Sequence, residues 1–106
     1  MKTTAIDFGK SGGLIPAIIQ NRQTREVLML GFMNREAYEQ TKETGFVYFW
    51  SRTRNTLWKK GETSGNTLRV ISMRTDCDRD ALLIGVEPNG VTCHTGKRSC
   101  FTGEDL

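Results

Sequence analysis

The chain has 106 residues, room for one domain of ordinary size and none for a second catalytic module. Hydrophobic residues at 37% and charged residues at 25% exclude wholesale disorder, and no run approaches the roughly 18 apolar residues of a membrane span. The net charge of +3 is too small for nucleic-acid binding by charge alone but suits an anionic small ligand. The start, MKTTAIDFGKSGG, carries no continuous apolar signal segment, so a soluble cytoplasmic protein is the expectation. Three cysteines cannot pair off completely as intramolecular disulfides, so each thiol needs another explanation.

No repeat or linker divides the sequence, which reads as a single domain over residues 1–106 with residues 1–13 loosely held. Residues 14–20 and 26–32 are apolar runs separated by a polar stretch, the pattern of a hairpin, with Pro16 favouring an edge or strand-start position. Asn34 is a helix N-cap, Glu36 suits the first turn, and Gly45 offers a left-handed C-cap after residues 37–44. Residues 46–50 read as a buried strand, followed by a polar, basic stretch over residues 51–55. Further strands are expected over residues 68–73, 81–86 and 91–93, the last two separated by the turn Glu87-Pro88-Asn89-Gly90. One helix among short strands predicts an α+β fold with a mostly antiparallel sheet, because crossovers between parallel strands need more helices.

Three segments carry candidate chemistry. Asp76-Cys77-Asp78-Arg79-Asp80 places carboxylates at alternate positions, which share one face if the segment is extended, with Cys77 on the other. Close carboxylates repel unless a cation neutralises them, and oxygen ligands suit Mg²⁺ or Ca²⁺; a solvated acidic turn accounts for so short a motif equally well. Cys93-His94-Thr95-Gly96-Lys97-Arg98-Ser99-Cys100 sets two thiols seven positions apart beside the chain's one histidine. Taken singly, each cysteine reads as a small buried hydrophobe and His94 as a surface residue. Taken together with Cys77 they give three thiolates, the donor set of a catalytic zinc with one open position rather than of a four-ligand structural site. The third segment, SRTRNTLWKKGETSGN, gathers Arg52, Arg54, Lys59 and Lys60 with small polar residues, as a phosphate-binding surface would, or simply a solvated loop. Trp58 within it can stack on a base or pack in the core, and the core is the slightly better reading.

The ordered set SRTRNTLWKKGETSGN, TDCDRDALL and CHTGKRSCF resembles the phosphoribosyl-AMP cyclohydrolase family of histidine biosynthesis, over about residues 31–101, with no comparable signature in the first thirty residues. The resemblance implies a zinc site from Cys77, Cys93 and Cys100, and magnesium on Asp76, Asp78 and Asp80. It also implies an obligate homodimer whose zinc takes Cys77 from one subunit and the other two thiols from its partner. The implied reaction is hydrolysis of the N1–C6 bond in the adenine ring of phosphoribosyl-AMP. His94, the chain's one histidine, is the candidate catalytic base and proton shuttle. Arg52, Lys60 and Ser64 are candidate substrate-binding residues for the phosphates, by charge and position. The length predicts the monofunctional form, since family members with a fused pyrophosphatase are longer. The competing readings are a small zinc-stabilised module that binds nucleic acid or protein, opposed by the missing fourth thiolate and the acidic trio, and a zinc nucleobase deaminase, whose H-x-E and P-C-x-x-C signature is absent.

Overall fold

The computed structural model describes residues 6–9 and 12–106. The first apolar run forms β1 (Ile15–Asn21) and the second β2 (Val27–Met33), an antiparallel hairpin in which Ile15 opposes Met33 and Ile18 opposes Leu30. Asn21 closes its turn by accepting from the backbone N–H groups of Gln23 and Thr24. The helix α1 (Arg35–Thr44) follows with the expected ends. Asn34 Oδ1 accepts from Ala37 N at 2.9 Å, and Gly45, at φ 80°, donates to Thr41 O.

After α1 come β3 (Tyr48–Ser51), β4 (Thr56–Lys59), β5 (Leu68–Thr75) and β6 (Leu82–Pro88). β2, β1, β6 and β5 form a four-stranded sheet in that order, and β3 with β4 forms a separate antiparallel ribbon. All pairings are antiparallel except β1 with β6, where Ala17 meets Leu82 and Ile19 meets Ile84. The α+β class and mostly antiparallel character therefore hold, with one parallel pair formed by strands far apart in the chain. Pro16 lies in an interior strand rather than at an edge, but it precedes the first residue that pairs with β6, so its missing N–H costs no ladder bond.

One sheet face is the core face. Ile15, Ala17 and Ile19 of β1 and Leu82, Ile84 and Val86 of β6 are buried there, at alternate positions. Val47, Phe49 and α1 cover that face through Ala37 and Thr41. Thr41 ties helix to ribbon, since its hydroxyl donates to Ala37 O at 2.8 Å and accepts from Tyr48 N at 3.0 Å. The Phe49 and Trp58 rings meet at 5.3 Å, so Trp58 packs against the core as read from the sequence. Among the described residues, no helix is long and apolar enough to cross a membrane.

Four expectations are corrected. Ile6 and Phe8, in the segment expected to be loose, are buried in the core, while residues 1–5, 10 and 11 lie outside the described residues. The solvated-loop reading of the segment after β3 does not hold throughout, because Thr56–Lys59 pairs back on β3 across a turn at residues 52–55. Glu87 and Pro88 end β6 rather than begin a turn. Residues 91–93 form no strand, because Cys93 spends its backbone locally: its N–H donates to Lys97 O and its carbonyl accepts from Gly96 N.

Candidate active site

The thiols of Cys93 and Cys100 come together because two short backbone devices fold residues 93–101 against the edge strand β2. The Cys93–Lys97 loop turns the chain back. Ser99 then anchors it: its buried hydroxyl donates to Val27 O at 2.7 Å and accepts from Phe101 N at 3.0 Å. Cys100 N donates to Leu28 O at 2.7 Å, fixing that thiol beside β2. Arg98 adds an exposed ion pair with Glu26 at 3.0 Å.

The two thiols are electrostatically unequal. Thr95 donates its hydroxyl to Cys93 Sγ at 3.0 Å and its backbone N–H adds a second donor, and these hold the Cys93 thiol below the ordinary cysteine value. Donation from Cys100 and the positive charge of Lys60 lower it further. Cys100, although exposed as a residue, is pushed up, first by partial desolvation of its thiol, then by donating its proton towards Cys93 and by the charge there. The two sulfurs form a soft donor set that suits zinc. Lys60, at the end of β4, is the one candidate phosphate residue that bears on these thiols; its ammonium also lies 6.0 Å from the Trp58 ring centroid. Arg52 instead stacks on Phe32 at 4.2 Å, and Ser64 is turned into its own loop, accepting from Asn66 N at 3.1 Å. His94 is exposed at the start of the turn after Cys93. An open cavity of about 560 Å³ lies along this segment, lined by Thr95, Lys97, Arg98 and Phe101 among others.

The acidic trio lies in the connection from β5 to β6. The expected alternation along an extended segment does not occur. Residues 77–80 are a turn with Arg79 at φ 65°, and Asp76 closes it by accepting from Asp80 N and Ala81 N at 3.0 and 3.2 Å. Asp7 N pins the turn from outside by donating to Arg79 O at 2.7 Å. The carboxylates converge all the same, with one oxygen from each of Asp76, Asp78 and Asp80 within 4.8 Å of the others, a hard donor set that suits magnesium. Cys77, exposed in this turn, does not join the other two thiols: the aspartates are the one group of three metal-ligating side chains gathered among the described residues.

Sequence reasoning missed Thr95, Ser99 and Thr92. Thr92, next to Cys93, is buried with its hydroxyl lacking a hydrogen-bond partner among the described residues. The first two were legible in principle, since hydroxyl residues between two thiols are natural donors to sulfur and to loop backbone.

Comparison with known proteins agrees with the motifs. The sequence profile described as Phosphoribosyl-AMP cyclohydrolase matches residues 29–102. The chain is 60% identical over 96 residues to the Histidine biosynthesis bifunctional protein HisIE of Bacteroides thetaiotaomicron, covering 91% of this chain and 47% of that one. It is 57% identical over 104 residues to the protein of the same name from Staphylococcus aureus (strain COL), covering 98% and 49%. With the Phosphoribosyl-AMP cyclohydrolase of Cenarchaeum symbiosum it shares 54% over 100 residues, 94% of this chain and 93% of that one. The chain thus spans about half the length of the bifunctional relatives, and the likeness extends into the first thirty residues, where the motifs alone had shown none. The profile match and these relatives show that the chain belongs to the phosphoribosyl-AMP cyclohydrolase family.

Proposed function

We propose that this protein is a hydrolase of histidine biosynthesis that opens the adenine ring of phosphoribosyl-AMP between N1 and C6, giving the phosphoribosylformimino-aminoimidazole carboxamide ribotide. The observation that carries this reading is the coupled thiol pair of Cys93 and Cys100 on the family's C-H-T-G-x-x-S-C motif, with Thr95 donating to Cys93 Sγ at 3.0 Å. Cys93 and Cys100, with Cys77 of a second copy, would hold zinc in a homodimer. When bound, zinc acts as a Lewis acid that brings the pKa of a water towards about 7.

The chain's own residues do the rest. Substitution at N1 makes C6 electron-poor, and addition of water there gives a tetrahedral carbon whose collapse breaks the C6–N1 bond. His94 takes the proton from the attacking water and returns it to N1 as the ring opens. Lys60, beside the thiols, supplies positive charge for an anionic substrate, and Arg52 and Ser64 offer further phosphate contacts. Asp76, Asp78 and Asp80 would hold magnesium, which commonly bridges carboxylates to phosphates.

What supports sharing of the zinc set between copies is the separation of Cys77 from the thiol pair within one chain. Mixing inactive Cys77→Ala and Cys93→Ala chains tests it. A mixed dimer has one intact set of three thiols, so a statistical mixture should recover about a quarter of wild-type turnover. No recovery in demonstrably mixed dimers would overturn the shared site.

A further inference from the structure

The face of the four-stranded sheet opposite the core carries a cationic cleft. Register sets Gln20 of β1, Gly85 of β6 and Ser72 of β5 side by side across three strands, one step along from Ile18, Leu83 and Arg74. Gly85 leaves a gap in that row and forms the floor of a cavity of about 370 Å³. A Cβ at Gly85 would lie 2.6 Å from Ser72 Oγ and 3.1 Å from Arg22 Cδ, so a hydroxyl and an arginine stem occupy the space a side chain would need. Arg22, Arg25 and Arg74 line the cavity, and none of its lining residues is acidic.

The backbone around the cleft departs from regular sheet at three points. The β1–β2 register shifts between Ile19 and Gln20, and the β5–β6 register shifts between Val70 and Ser72. Such irregularities re-aim side chains, here Gln20 and Ser72 on either side of Gly85. Arg25 stands at φ 70°, where glycine is the default residue. It closes the β1–β2 turn, its N–H donating to Asn21 O at 2.8 Å and its carbonyl accepting from Gln20 Nε2 at 2.9 Å. An arginine held there at conformational cost points to a role for its side chain. The charge is uncompensated as well. Glu26 and Glu87 are taken by Arg98 and Arg69, so among the described residues Arg22, Arg25 and Arg74 have no carboxylate partner. A cleft lined by one sign of charge concentrates counter-ions.

We infer that the Arg22–Arg25–Arg74 cleft binds the phosphate group of a small phosphorylated molecule. Guanidinium forks match phosphate oxygens bidentately, and three forks suit a dianion with three terminal oxygens better than a carboxylate with two. Ser72 Oγ, at the floor, is a further donor. The volume falls at the small end of ligand pockets, room for one phosphate and the group that carries it rather than for a length of nucleic-acid backbone. The cleft lies outside the thiol, acidic and basic-loop segments, so it stands or falls separately from the proposed reaction. Its phosphate has two sources: one of the two phosphates of phosphoribosyl-AMP, or a separate phosphorylated ligand.

Titration of the full-length chain with inorganic phosphate, followed by NMR of the Gly85 and Arg25 amides and the arginine Nε–H groups, tests this. Saturable shifts with a Kd on the order of 1 mM are expected, weakening as salt is added. Arg22→Gln should raise that Kd by ~10-fold or more. Arg25→Gly is the sharper variant, because glycine accepts the left-handed backbone: Tm should hold at the wild-type value while phosphate binding weakens by at least ~10-fold. No saturable shift at Gly85 and Arg25 up to roughly 20 mM phosphate, or shifts that both substitutions leave unchanged, overturns the site. The same variants separate the sources. A ~10-fold higher KM for phosphoribosyl-AMP at unchanged kcat assigns the cleft to a substrate phosphate, whereas an unchanged KM with phosphate binding lost assigns it to a separate ligand. The binding measurement needs no turnover, so a chain inactive on phosphoribosyl-AMP would overturn the proposed reaction and leave the cleft standing.

Discussion

Alanine at position 31 would place a methyl carbon 2.5 Å from Cδ1 and Cε1 of Phe49 and 3.0 Å from its Cζ. Ordinary carbon contacts begin near 3.5 Å, so the ring or the strand must yield by about 1 Å. The ring has little freedom, being 1% exposed and packed on Trp58. Gly31 is thus the point where β2 lets the β3–β4 ribbon, with Lys60 at its end, come close to the sheet. Overpacking of this kind costs about 1–3 kcal/mol, and loss of the glycine's freedom in the unfolded chain returns about 0.5–1, leaving a net loss of roughly 1–2 kcal/mol. In a domain of this size that lowers Tm by about 5–15 °C. Urea unfolding followed by tryptophan fluorescence, at fixed zinc load, should show a lower midpoint at unchanged slope. The double variant with Phe49→Leu should restore part of the loss, with a coupling of about 1 kcal/mol. A Gly31→Ala protein as stable as wild type, or single effects that add within about 0.5 kcal/mol, would refute the close packing at this point.

Ser99→Ala should cost about 1–2 kcal/mol, because Val27 O and Phe101 N lose their partner, and should weaken zinc retention against a competing chelator by about 10-fold as Cys100 loosens; unchanged retention would remove Ser99 from the positioning of that thiol. Thr92→Val removes a buried hydroxyl that has no partner and should be neutral or stabilising by up to about 1 kcal/mol, so a clear loss on thermal unfolding would show that the hydroxyl is satisfied after all. His94→Ala should lose turnover while keeping zinc and fold, and equal turnover across the pH range would end its assignment as proton carrier.

Local chemistry was readable from the sequence and non-local pairing was not. Asn34 and Gly45 announced both ends of α1 because capping needs only neighbouring residues, and the β1–β2 hairpin followed from two apolar runs around a polar turn. The parallel pairing of β1 with β6 joins segments more than sixty residues apart, with no single crossover helix to signal it. β4 was hidden because basic residues flank Leu57 and Trp58, and Val91, Thr92 and Cys93 misled by strand propensity that the Cys93–Lys97 loop overrides. In the site, the residue types were legible but the geometry was not. The aspartates converge through a turn closed by Asp76, rather than by alternation along a strand. The inequality of Cys93 and Cys100 depends on the donors of Thr95 and on desolvation at Cys100, which spacing alone does not show.

The most direct measurement supplies the purified chain with phosphoribosyl-AMP and follows ring opening before and after zinc is removed by a chelator. The account predicts turnover that falls by at least ~100-fold on chelation and returns when zinc is restored. Ring opening at the full rate by protein shown to be free of zinc, or none at all with zinc bound, would contradict it.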